Sequence, residues 1–206
     1  MGRLKNKKIL LVNACVRPGS RTLRLARHLL GLLDGDVSEI CLEKEILEGN
    51  IAPLDNSSIE CRQKCSMSGS FVDSRFRCAR LFANADTIVI AAPYWDLSFP
   101  SSLKIFFENV CVDGLTFRYT EQGMPAGLCC ARDIVYVSTA GGPVYGDYGS
   151  GYVKNLCGIL LGIKNFHLLQ AEGLDVQGNS PEKILSETFR LAAEISSSVN
   201  LGRTIS

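Results

Sequence analysis

Three short stretches of this chain concentrate residues suited to holding a small, charged, planar molecule. The first is Val16-Arg17-Pro18-Gly19-Ser20-Arg21-Thr22, a Pro/Gly turn that leads into a helical pattern. A helix N-terminus presents unpaired backbone N–H groups and the positive end of the helix dipole. Ser20 and Thr22 add donors without bulk, and Arg17 or Arg21 supplies positive charge, so the chemistry to expect is anion binding. Read more plainly, Ser20 is an ordinary N-cap. The second stretch, Pro93-Tyr94-Trp95-Asp96-Leu97-Ser98-Phe99-Pro100, sets Tyr94 beside the only tryptophan and brackets both with prolines. A loop stiffened in this way suits the edge of a planar ring; the plainer reading packs Trp95 and Phe99 beneath the loop. The third is Thr139-Ala140-Gly141-Gly142, with Tyr145 soon after. Paired glycines allow close backbone approach to a ligand, and amides aimed at a ring edge stabilise negative charge that develops there; the plainer reading is a Gly-rich turn.

The elements around these stretches give them a common address. Ile9-Leu10-Leu11-Val12, Thr87-Ile88-Val89-Ile90-Ala91-Ala92, Ile134-Val135-Tyr136-Val137 and Phe166-His167-Leu168-Leu169 are short apolar runs of the kind buried in parallel sheets. Val37 to Leu42 alternates more and reads as an edge strand. Helical spacing follows at 23–33, 72–82, 101–110 (with Ser101-Ser102 as cap), 153–161 and 181–199, whereas 43–57 reads as a long surface loop, 58–70 is ambiguous and 115–127 is irregular. Five strands alternating with helices define a doubly wound α/β domain. Its ligands bind beyond the carboxyl ends of the strands, where all three stretches lie. A phosphate cradle, a ring loop and a close-approach loop together suit FMN better than a bare nucleotide. Neither a GxGxxG fingerprint nor a P-loop ending in Gly-Lys-Ser/Thr follows the first strand.

Composition narrows the function classes. The chain has 206 residues, with 22 Lys and Arg against 21 Asp and Glu, a net charge of +1. That balance points away from nucleic acid and from anionic membrane surfaces. With 46% hydrophobic and 21% charged residues the chain is globular rather than disordered, and its length suits one domain over residues 1–206. No apolar run reaches membrane-spanning length, and no signal segment is expected ahead of the first strand. Nine cysteines, an odd number, fit reduced thiols in the cytoplasm. Cys61 and Cys65 with Cys78 form a CxxxC pair plus a third thiol, far in sequence from His28 and His167, which points away from structural zinc.

The same residues resemble a known family. Ile9 to Asn13 with Arg17 to Thr22, Ala91 to Lys104, the Thr116-Phe117-Arg118-Tyr119-Thr120 stretch with Gly127-Leu128, Thr139 to Gly142, and Ala171 to Leu174 occur in the order seen in flavodoxin-like NAD(P)H:quinone oxidoreductases and FMN-dependent azoreductases. The resemblance implies a flavodoxin-like five-stranded parallel sheet of order 2-1-3-4-5, with helices on both faces. It implies FMN rather than FAD, NADH or NADPH as reductant, a quinone, azo compound or similar conjugated acceptor, and a homodimer. By resemblance, Ser20, Arg21 and Thr22 hold the phosphate, Pro93, Tyr94, Trp95, Asp96 and Leu97 line the ring, and Thr139, Ala140, Gly141 and Gly142 meet its other edge. Asp96 stands where the azoreductases commonly carry Asn. A carboxylate there would bias acceptors toward neutral or cationic molecules. The Pro143–Gly149 loop lacks the His that accompanies a Tyr in related quinone reductases, which leaves Tyr145 and Tyr148 as hydrogen-bond donors or as dimer-interface residues. The alternatives are a flavodoxin-type electron carrier, disfavoured because such carriers tend to be strongly acidic, and a redox sensor built on Cys61, Cys65 and Cys78.

Overall fold

The computed structural model describes residues 7–202. Along the chain run β1 (Lys8–Asn13), α1 (Arg21–Leu30), β2 (Asp36–Cys41), α2 (Leu42–Leu47), α3 (Asn56–Ser68), α4 (Arg77–Ala83), β3 (Thr87–Ala91), α5 (Ser101–Val110), β4 (Phe117–Tyr119), β5 (Pro125–Gly127), β6 (Asp133–Thr139), α6 (Ser150–Asn155), β7 (Asn165–Ala171) and α7 (Pro181–Leu201). β2, β1, β3, β6 and β7 form one sheet in that order, every pair parallel. β4 and β5 form a separate antiparallel hairpin. With the hairpin set aside, the order is the expected 2-1-3-4-5. It reverses direction at β1, so that β1 and β3 flank the crevice where ligands gather in such sheets.

Side-chain alternation explains why the strands read as unbroken apolar runs. Leu10, Val12, Ile88, Ile90, Ile134 and Tyr136 face one side, against Phe82 of α4 and Phe106 and Phe107 of α5. Ile9, Leu11, Val89, Val135 and Val137 face the other, against Leu25 and Leu29 of α1 and Ala192 and Ile195 of α7. A strand covered by helices on both faces has no reason to alternate. β2 pairs only with β1 and leaves Val37 exposed, as an edge strand should.

Several local expectations are corrected. Residues 43–57 are not wholly loop: α2 occupies Leu42–Leu47, with Leu42 buried and the carboxylate of Glu45 held inward by Arg77. The ambiguous stretch is α3, a helix with an Asp55 N-cap and no buried residue; a helix without an apolar face lacks the period that would reveal it. The helix expected over 72–82 begins later, because Val72 is exposed and a 3-10 turn at Ser74–Phe76 precedes α4. The stretch 115–127 contains the hairpin, whose strands are too short to show alternation. α5 is not capped by Ser101 or Ser102: Pro100 holds the cap position and no side chain closes the turn. α6 starts at Ser150 and continues as a π-helical turn, Leu156–Leu160. That turn packs against the hairpin so tightly that a Cβ on Gly127 would lie 2.2 Å from the Leu161 carbonyl. His167, on β7, is buried beside Asp133 of β6.

Candidate functional site

A cleft of about 250 Å³ opens above the carboxyl ends of β1, β3 and β6. Its floor is fixed by backbone pairing: the Ala14 amide donates to the Ala91 carbonyl at 2.9 Å, and the Tyr94 amide to the Thr139 carbonyl at 3.1 Å. The Asn13 side chain accepts from the Cys15 amide at 2.9 Å and so starts the turn out of β1.

The first loop closes as a turn in which the Ser20 amide donates to the Arg17 carbonyl, and Gly19 takes the left-handed φ of +72° that this turn needs. The Ser20 hydroxyl accepts from the Leu23 amide at 3.2 Å, so the plain N-cap reading of Ser20 holds. Arg17, Ser20, Arg21 and Thr22 all line the cleft. Thr22 is buried, its hydroxyl 2.6 Å from that of Thr139. Arg21 makes a bidentate ion pair with Asp175, both contacts at 2.9 Å. Hydrogen bonds from Arg21 hold the Asp175 carboxyl below its ordinary range.

Pro93, Tyr94 and Trp95 line the opposite wall. Trp95 and Ser98 exchange both backbone hydrogen bonds, at 3.1 and 2.8 Å, and pinch Asp96 and Leu97 into a tight turn with φ of +48° and +66°. Such a turn normally carries Asn and Gly. Asp tolerates this conformation, whereas Leu is strained in it. Phe99 packs beneath the loop, its ring 5.5 Å from that of Tyr152, as its plainer reading holds, while Trp95 faces the cleft. Asp96 and Leu97 are exposed beyond the lining.

Thr139 and Gly141 line the third side, and Ala140 is buried beneath them. The carbonyls of Ala140, Gly141 and Gly142 accept from the amides of Leu174, Asp175 and Gly173. At Gly141 a Cβ would lie 2.4 Å from Asp175 Oδ2, so a side chain there would push that carboxylate aside. At Gly142 a Cβ would meet nothing. The following strap, 143–149, is pinned to the second loop. The Tyr94 hydroxyl accepts from the Tyr145 amide and donates to the Tyr145 carbonyl, each at 3.1 Å. The Ser98 hydroxyl donates to the Tyr148 carbonyl at 3.3 Å. Asp147 accepts from the Gly151 amide at the start of α6. The side chains of Tyr145 and Tyr148 point outward, 63% and 66% exposed, and Tyr145, Tyr148 and Gly142 stand outside the lining.

The residue that the sequence reading missed is Asp175. The stretch matched in the fifth strand ended at Leu174; the usable signal was a carboxylate just past the end of a strand in a sheet of this class. The cysteine cluster is not brought together as a unit. Cys61 and Cys65 lie 4.0 Å apart on α3, but Cys78 faces Glu45. Burial pushes the Cys78 thiol up to about 11, and desolvation and Cys61 raise that of Cys65. These shifts run opposite to those of an activated thiol. All nine cysteines are free, and among the described residues no group of three or more His, Cys, Asp or Glu is placed to hold a metal ion.

Sheet order and cleft position define a doubly wound α/β protein of the flavodoxin type. Residues 7–194 match the family described as having the flavodoxin-like fold, and the chain belongs to that family. Among curated proteins it is 44% identical over 119 residues to FMN-dependent NADH:quinone oxidoreductase 2 of Clostridium acetobutylicum, covering 55% of this chain and 58% of that one. It is 29% identical over 182 residues to FMN-dependent NADH:quinone oxidoreductase of Coprothermobacter proteolyticus, covering 85% and 90%. The matches to the first of these relatives span about three-fifths of their length. An azoreductase from Bacillus anthracis superposes with a TM-score of 0.78 at 23% identity, covering 94% of this chain and 99% of that one. An FMN-dependent NADH-azoreductase from the same species, in complex with FMN, does so at 0.76 and 22%, with 94% and 99% covered. At that identity the likeness concerns the fold.

Proposed function

We propose that this chain is an FMN-dependent NAD(P)H oxidoreductase that reduces quinones, azo compounds or related conjugated acceptors. One observation carries the reading: a helix start bearing Arg17 and Arg21, an aromatic wall and a glycine-bearing loop converge on a single cleft. The residues fit FMN. Cationic Arg17 and Arg21 and the aromatic Tyr94 and Trp95 share the lining with Gly141, which carries no side chain to crowd a ring edge. The names of the curated relatives support the same cofactor, donor and acceptor class.

When bound, FMN would supply the redox chemistry between a nicotinamide donor and a conjugated acceptor. The chain's residues bind and orient. Ser20, Arg21, Thr22 and the first amides of α1 hold the phosphate, and Arg17 adds charge from the loop. Pro93, Tyr94, Trp95, Asp96 and Leu97 bound one side of the ring. Thr139, Ala140, Gly141 and Gly142 bound the other, where backbone amides favour negative charge on the ring. Tyr145 and Tyr148 are held at the rim as hydrogen-bond donors to an acceptor oxygen, and their outward rings suit the interface of a homodimer. Residues 1–206 act as one FMN-binding domain, working in the cytoplasm on small molecules rather than nucleic acid or membrane. No helix among the described residues is long and apolar enough to cross a bilayer.

Because one cleft serves donor and acceptor, the two take turns. Purified protein should release a flavin identified as FMN, and initial rates with NADH and a naphthoquinone should give parallel double-reciprocal lines. Intersecting lines would remove the alternating scheme; absence of bound flavin and of quinone reduction would remove the reading itself.

A further inference from the structure

The ion pair at the mouth of the cleft is unusual in its placement. Arg21 sits in the first turn of α1, where a phosphate would be cradled, yet both of its terminal nitrogens are engaged by Asp175. Asp175 is not a drifting surface carboxylate. Its amide donates to the Gly141 carbonyl at 2.8 Å, and its Oδ2 lies against Gly141, 2.4 Å from where a Cβ of that residue would be. Its side chain is 63% exposed and that of Arg21 36% exposed, so neither charge is needed to satisfy a buried partner. Arg17, the other cation of the loop, is exposed and acts on Asp175 through charge alone. The fold has thus positioned a negative charge beside the two cations of a proposed anion site.

We propose that Asp175 is the resident counter-ion of the phosphate loop: it occupies Arg21 in the flavin-free protein, and the phosphate of FMN takes that arginine over on binding. The inference rests on the FMN reading above. A phosphate dianion arriving at Arg21 meets a like charge a few ångströms away, so Asp175 lowers cofactor affinity. Its work is done before binding, when it keeps the guanidinium folded across the cleft mouth and screened from unrelated anions. The pair is solvent-exposed, which limits the effect to a modest one that fades with added salt.

The test is flavin binding rather than turnover. The full chain, stripped of flavin, is titrated with FMN and separately with riboflavin, which lacks the phosphate, and the loss of flavin fluorescence is followed. D175N should bind FMN about five- to tenfold more tightly than the unaltered chain at low salt, with riboflavin affinity unchanged. D175E, which restores the charge, should return FMN affinity toward the original value. Equal or weaker FMN binding by D175N would overturn the counter-ion role and mark Asp175 as a residue that orients Arg21. An equal gain for riboflavin would overturn it as well, by placing the effect on the ring. If the unaltered chain and D175N both bind neither flavin, the FMN reading fails and the counter-ion role falls with it.

Discussion

The buried hydroxyls of Thr22 and Thr139 lie 2.6 Å apart and couple the first turn of α1 to the carboxyl end of β6. Thr22 therefore does more than decorate a helix start. Two hydroxyls carry two protons, and their mutual bond uses one, so the pair keeps one further O–H to donate. Thr22→Val keeps the shape and leaves the Thr139 oxygen without this partner. We expect a loss of about 1–2 kcal/mol in urea unfolding and several-fold weaker FMN binding. A double-mutant cycle with Thr139→Val checks the coupling, which should be close to zero if the contact is incidental.

Tyr94 joins two loops through one oxygen, receiving the Tyr145 amide and donating to the Tyr145 carbonyl. Tyr94→Phe retains the ring wall and releases the strap. Exchange of the Tyr145 amide should quicken about fivefold, and the KM for a bulky quinone should rise, while FMN affinity stays within about twofold. Unchanged exchange at Tyr145 would mean that the strap is held without Tyr94, by Ser98, Asp147 and the Glu172 carboxylate that accepts from the Val144 amide at 2.7 Å.

Leu97 has φ +66° in a turn of the kind that glycine favours. Strain of this kind clusters at ligand-binding loops. Leu97→Gly should raise stability by about 1 kcal/mol through relief of the left-handed conformation. It should also lower acceptor affinity, because Leu97 is 50% exposed beside the cleft. Thermal melts and acceptor KM, measured together, separate the two effects.

Asp96 shares that turn and is exposed. Asn accepts the same backbone, so Asp96→Asn changes charge without changing the fold. Anionic acceptors should gain relative to cationic ones, by about two- to fivefold given solvent screening. Equal relative rates for the two acceptor classes would show that the carboxylate does not select.

The sheet was legible in the sequence because burial on both faces wrote Ile9–Val12, Thr87–Ala92 and Ile134–Val137 as continuous apolar runs. Nine of the expected binding residues line the cleft, since the loops at strand ends carry residue types that a plain turn would not. What escaped reading had physical reasons. α3 buries nothing and so has no period. The β4–β5 hairpin has strands of three residues. The Tyr94 bridge is made to backbone atoms of Tyr145, which no side-chain pattern announces. Asp175 meets Arg21 across 154 positions, and only the folded sheet brings them together.

Far from the cleft, at the amino end of β6, Asp133 is buried at 1% exposure and accepts from Arg132, Asn165 and His167 at 2.8–3.0 Å. Burial alone would raise this carboxyl, but the three hydrogen-bonding partners outweigh it and hold the folded pKa below the ordinary 3.8. A depressed folded pKa means that the stabilisation is fully present above the unfolded value and is lost as pH falls through the folded one. Arg132 also donates to the Gly202 carbonyl at 2.9 Å, so the same cluster anchors the end of α7. Asp133→Asn should cost about 2–3 kcal/mol at neutral pH. The gap between the variant and the unaltered chain should start to narrow below about pH 4, where the carboxylate takes up its proton in the unfolded chain, and go on narrowing as pH falls through the lower folded value. Urea unfolding at pH 7 and pH 3 measures both; a gap that stays constant between them would show that the contribution of Asp133 is one of shape rather than charge.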